Sequence, residues 1–235
     1  MNQGGVATVV FTWITPLILA AFALTIWAQF KVKGNFNQFA QVTARSGLSG
    51  AEVARRILDD NGLHHVPVEP VPGTLTDHFD PISNVVRLSE PVYYGNSIAS
   101  ISVAAHEVGH AIQHKEGYSM LVLRHRMFPV VNITSGIAPF LLLAGIFFKM
   151  TNLLLIGIIF FAAAVAFQVV TLPVEFNASA RAKRLMLAEG FVAESEKRGV
   201  DKVLGAAALT YVASTLVAVL QLLEYIWIFS SNDRD

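Results

Sequence analysis

In the stretch ASISVAAHEVGHAIQHKEG, His106 and His110 stand four residues apart and Glu107 directly follows the first of them. On a helix that spacing stacks the two imidazoles on one face, where both can bind a single Zn²⁺. The stretch meets this condition: from about Ser97 it is Ala-rich, and it stops at Gly117. The carboxylate beside the pair makes hydrolysis the expected chemistry. Zinc depresses the pKa of a coordinated water, and Glu107 is placed to act as the base that takes its proton before attack on a peptide carbonyl. A plain polar helix face could also hold two histidines and a glutamate, but it requires neither this order nor this spacing.

A catalytic zinc takes a third protein ligand and keeps one position for water. His114 continues the histidine stripe, but at i+8 it lies ~12 Å along the axis from His106, too far to share a metal with ~2 Å bonds. Glu116 stands where metzincins place their third histidine, yet Gln113 replaces the glycine that lets that chain turn. Glu175, in TLPVEFNASARAKR, is the leading candidate, because Pro173 can open an Ala-rich helix there.

The rest of the chain must carry these residues through a membrane. A hydrophobic content of 54% and a mean hydropathy of +0.53 are too apolar for a water-soluble protein of 235 residues, so the surplus must face lipid. Net charge is zero, and no basic or aromatic nucleic-acid motif is visible, which sets nucleic-acid binding aside. Without cysteine there is no disulfide, thiolate nucleophile or thiolate ligand, and metal chemistry falls to His, Asp and Glu.

Four apolar runs are long enough to span: Val6 to Trp27, Val130 to Phe148, Leu153 to Leu172 and Leu204 to Phe229. The first reads as an anchor rather than a secretory signal, since its leader MNQGG has no positive charge and the run exceeds an ordinary signal core. Residues 130–172 form a hairpin of two spans, which returns the chain to its starting face. Segments 28–129 and 173–203 then share one side, the former carrying the HEVGH helix and the latter the third ligand. Lys31, Lys33, Arg124, Arg126, Arg181, Lys183, Arg184, Lys197, Arg198 and Lys202 flank that side, against Lys149 and Arg234 on the other, so both segments are expected in the cytoplasm. Within 28–129, Leu48 to Asn61 reads as a helix with Ser49 as N-cap. HVPVEPVPG and NVVRLSE read as short strands, the first confined to an edge or loop by its prolines.

VAAHEVGHAIQHKEGY, preceded by DHFDPISNVVRLSEPVYYG and followed by PVEFNASARA, resembles the YugP-type membrane zinc metallopeptidases over most of the chain. That family is similar, distantly, to the HtpX and CAAX-prenyl protease group of gluzincins. The resemblance implies zinc held by the two motif histidines and a downstream glutamate in an E-x-x-x-D helix, which maps to Glu175 through Ser179. Ser179 replaces the carboxylate that would orient a ligating histidine, with Asn177 or Asp80 as substitutes.

Tyr93, Tyr94, Tyr118, His78 and Arg181 are candidate donors to an oxyanion, although a structural role is the commoner one for each. Asn84 to Glu90 could be an edge strand that lays substrate across the zinc, or a buried strand. Gln221 and Glu224 lie in the last span, with Glu224 near enough to its end to reach the interface. The expected protein is thus mainly α, an integral multi-pass protein of the cell membrane with about four spans and a small α+β zincin-like domain. The expected function is a zinc metalloendopeptidase with His106, His110 and Glu175 as metal ligands and Glu107 as catalytic base. Its partners would be a protein or peptide substrate and the lipid bilayer, with room for membrane partner proteins or a homo-oligomer. The rival readings are a membrane scaffold or assembly protein with a structural metal, which has no use for Glu107, and a metal transporter, which would place its ligands inside spans.

Overall fold

A computed structural model describes residues 13–232, so Val6 to Thr12 of the first expected span lie outside the described residues. Among the described residues, seven helices and one three-stranded sheet follow the order α1 (Thr15–Ala40), α2 (Gly50–Asp60), β1 (Val68–Val71), β2 (His78–Asp80), β3 (Val85–Ser89), α3 (Glu90–Tyr93), α4 (Ile98–Lys115), α5 (Ser119–Phe147), α6 (Thr151–Ala188) and α7 (Lys197–Asn232). Helices α1, α5, α6 and α7 are each long and apolar enough to cross a membrane. The chain divides into two compact units, one of residues 13–27, 123–171 and 211–232, the other of residues 28–122 and 172–210.

In the first unit large apolar side chains face outward. Phe140 and Phe147 are 73% and 77% exposed, an arrangement that suits lipid and not water. Helices α5 and α6 form a hairpin around Lys149, which turns the chain at φ 53°. Glycines allow their backbones to meet: a Cβ on Gly145 would sit 2.6 Å from the Leu154 nitrogen, and one on Gly157 would sit 2.9 Å from the Leu142 nitrogen. Between spanning helices such small residues replace the hydrophobic drive that lipid removes. Thr15 Oγ1 donates to Glu224 Oε1 at 2.8 Å, so the last span's carboxylate is tied to α1.

The second unit has a conventional core built from α2, α4, β3 and parts of α1, α6 and α7, including Phe36, Ile57, Leu88, Ile101, Met186 and Leu204. Helix α2 starts from a capping box, in which Ser49 accepts from the Glu52 amide while the Glu52 carboxylate accepts from the Ser49 amide. Its apolar side, Val53, Ala54, Ile57 and Leu58, is buried, and α2 lies against α4. The sheet order is β1-β3-β2, with β1 parallel to β3 (Val68 opposite Val86) and β2 antiparallel to it (Phe79 opposite Val86). Pro70 is therefore on an edge strand, where its missing N–H costs no ladder bond.

The structure decides one reading of the sequence and corrects another. Of the two alternatives for Asn84 to Glu90, the edge strand is set aside and the buried strand is found: the segment contains the central strand β3, buried except at half-buried Arg87, and the edges are β1 and β2. Pro173, expected to open a new helix, lies inside α6, which runs unbroken from Thr151 to Ala188. Proline removes one hydrogen bond of the ladder, and long apolar helices tolerate that loss where neighbours pack around it. Pro129 and Pro139 sit inside α5 in the same way.

Candidate metal centre

Helix α4 starts at Ser97, whose side chain accepts from the Ser100 amide, and ends before Gly117 at φ 62°. It is buried along most of its length, which fixes the face that His106 and His110 present. Their rings meet edge to face with centroids 4.8 Å apart. Helix α6 passes against this face. A Cβ on Gly109 would lie 2.8 Å from the Ala178 carbonyl oxygen and 3.2 Å from its Cα, so only glycine lets the two backbones approach this closely. Glu175 and Ser179, one turn apart and flanking Ala178, are thereby delivered to the histidines.

Glu175 is 4% exposed, and its Oε2 stands 3.3 Å from His106 Nε2 and 3.7 Å from His110 Nε2. One donor atom from each of the three residues lies within 4.8 Å of the other two. Donors around a tetrahedral zinc with ~2 Å bonds are about 3.3 Å apart, so the group fits that ion with little closure. Two imidazoles and a carboxylate are also the donor types zinc takes in hydrolytic sites. The outward nitrogens of both rings are engaged: His106 Nδ1 with Ser179 Oγ at 3.1 Å, and His110 Nδ1 with Gln113 Oε1 at 3.0 Å. That leaves Nε2 of each ring for a metal.

Glu107 is 8% exposed, and its Oε2 accepts from the Phe79 amide of strand β2 at 3.1 Å. The sheet edge thus holds one oxygen of the carboxylate next to the two histidines. Asp77 supports that edge by accepting from the amide and hydroxyl of Ser89. Burial pushes the Asp77 carboxyl up and the bonds from Ser89 pull it back, while the nearby Glu107 charge adds to the rise. Burial presses the His110 imidazole down, but the adjacent Glu175 carboxylate and the charge of Glu107 outweigh burial and leave it above its ordinary value.

The remaining candidates fall elsewhere. His114 packs its ring against Phe79, centroids 5.7 Å apart, and Glu116 pairs with Arg181 at 2.6 Å. Asp80 caps the β2–β3 turn, accepting from the Ile82 and Ser83 amides and from Arg87, so it does not replace the missing carboxylate at a histidine. The hydroxyl of Ser179 takes that place itself. Arg181 donates to Asn177, and the His78 ring contacts the Thr76 carbonyl. The sequence reading missed Gln113 as a partner of His110; its signal was the i+3 spacing from a histidine, which the chain pattern alone does not distinguish from any other polar position.

Residues 14–230 match the sequence pattern of the family described as "Putative neutral zinc metallopeptidase". The chain belongs to this family. It is also 62% identical over 219 residues to the "Putative membrane protease YugP" of Bacillus subtilis (strain 168), covering 93% of this chain and 97% of the relative. No solved structure matches the chain. Membership of a zinc metallopeptidase family makes zinc the cofactor, and His106, His110 and Glu175 form a group that could bind it.

Proposed function

We propose that this family member is a membrane-embedded zinc endopeptidase that hydrolyses peptide bonds of membrane or membrane-associated proteins. The observation that carries the reading is the convergence of half-buried His106 with buried His110 and Glu175, with the carboxylate of Glu107 one residue from the first of them. His106, His110 and Glu175 would hold the ion, within a zincin-like domain of the second unit. Zinc, when bound, supplies Lewis acidity that makes water easier to deprotonate and a carbonyl easier to attack. Glu107 takes the proton of the attacking water on a carboxylate oxygen and later gives it to the departing amine. The Phe79 amide restrains that carboxylate by donating to Oε2. Ser179 and Gln113 keep the two rings oriented through their Nδ1 atoms.

A scaffold with a structural metal has no role for a base beside the ligands, so Glu107 favours the enzyme. The flanking Lys and Arg residues support a cytoplasmic position for the proposed catalytic domain. Substitution Glu107→Gln tests the activity: cleavage of an unfolded protein substrate should fall by about 10²–10⁴-fold while zinc stoichiometry is kept. Undiminished cleavage would contradict the mechanism, and loss of zinc would make Glu107 a ligand.

A further inference from the structure

Gln113 is fully buried, and its side chain makes three hydrogen bonds whose directions determine one another. Its Nε2 donates to the Val174 carbonyl and to Asn177 Oδ1, both at 2.9 Å. Both acceptors follow from chemistry. A backbone carbonyl has no proton to give, and the Asn177 atom in question is also approached at 2.7 Å by Arg181 Nε, which can only donate. With its nitrogen so placed, Gln113 turns its oxygen, an acceptor only, to His110 Nδ1 at 3.0 Å. Nδ1 therefore carries a proton, and the lone pair of the neutral ring is on Nε2, the atom that faces Glu175. At His106 the partner is the Ser179 hydroxyl, which can donate or accept and imposes no such direction.

We infer that Gln113 is a positioning residue for the zinc site: with Asn177 and Arg181 it forms a one-way relay that holds His110 as the Nδ1–H tautomer and presents Nε2 to the metal. The inference rests on the zinc reading above and adds a function for residues outside the ligand set. Glu116 anchors the outer end of the relay by pairing with Arg181. Every link lies within the second unit, and the bonds from Gln113 to Val174 and Asn177 join α4 to α6. The relay thus ties the orientation of a proposed ligand to the packing of the helix that supplies another, Glu175.

The test uses the full-length protein in detergent, with zinc affinity measured by chelator competition and a ¹⁵N-histidine spectrum of the zinc-loaded parent. Gln113→Met, similar in volume but without an amide, should weaken zinc binding by about 10–100-fold. Asn177→Asp keeps an acceptor toward both Gln113 and Arg181 and should stay within about threefold of the parent. The parent spectrum should show His110 protonated on Nδ1 and bound to zinc through Nε2. Parental affinity in Gln113→Met would overturn the relay, as would equal losses in Gln113→Met and Asn177→Asp, which would point to packing and not direction. Zinc on Nδ1 of His110 would overturn it as well, and this reading needs no variant to fold. A parent that takes up no zinc would overturn the zinc site itself and the relay with it, whereas stoichiometric zinc in a parent matched by Gln113→Met removes the relay alone.

Discussion

A Cβ placed on Gly109 would lie 2.8 Å from the carbonyl oxygen of Ala178, so α4 and α6 meet backbone to backbone between the residues they bring together. Glycine inside a helix is about 1 kcal/mol less favourable than alanine, and a helix this well packed would ordinarily gain from the exchange. The contact reverses that expectation, because the neighbouring atoms are main chain and cannot rotate away.

Gly109→Ala should therefore destabilise the protein, by about 1–3 kcal/mol, and weaken zinc binding by moving Glu175 away from the histidines. Denaturant unfolding in detergent and chelator competition measure the two effects. A more stable variant with parental zinc affinity would show that the helices do not press together at this point.

The pH dependence follows from His110, whose imidazole stands above its ordinary value because Glu175 and Glu107 outweigh its burial. Zinc must displace a proton from the ring wherever it is charged, so apparent affinity should fall with acidification, starting already at a pH above about 6.5. The metal-free protein has the opposite slope. A group whose pKa is raised on folding contributes stability below its unfolded value, and that contribution is lost as pH rises through the folded one. Zinc affinity and metal-free unfolding, each measured across about pH 5.5 to 8.5, should thus run in opposite directions. A zinc affinity that does not change over that range would remove the coupling.

On the orientation proposed from the flanking charges, Ser195, in the second unit, should face the cytoplasm and Met150, in the α5–α6 turn, should face outside. The chain has no cysteine, so Ser195→Cys and Met150→Cys can be labelled singly in intact cells with a thiol reagent that does not cross membranes. Both residues are exposed. Labelling of Met150→Cys with protection of Ser195→Cys is expected, and the reverse pattern would invert the protein.

What could be read from the sequence was whatever local spacing decides. His106 and His110 share a face because four residues make one turn, and Ser49 and Glu52 form their capping box through adjacent peptide groups. The apolar runs pointed to the four helices that are long and apolar enough to span, because length and composition suffice for that. Strand order depends on distant pairing, so β3 could not be told from an edge strand, and the three residues of β2 gave too short a period to notice. Pro173 has the same local signature whether it opens a helix or is carried inside one; packing decides, and here α6 continues through it. Gln113 looked like any polar residue late in a helix. Its burial and its bonds to Val174 and Asn177 come from a helix more than sixty positions away in the chain.

The zinc content of Glu175→Ala tests the proposed site most directly, because this carboxylate is the element that α6 adds to the two histidines of α4. Metal analysis and chelator competition on the purified, folded variant should show zinc binding lost or severely weakened and cleavage abolished, since two imidazoles alone make a poor catalytic site. His114→Ala, altered on the same helix but away from the group, should keep its zinc. A Glu175→Ala protein that holds zinc as tightly as the parent would contradict the account.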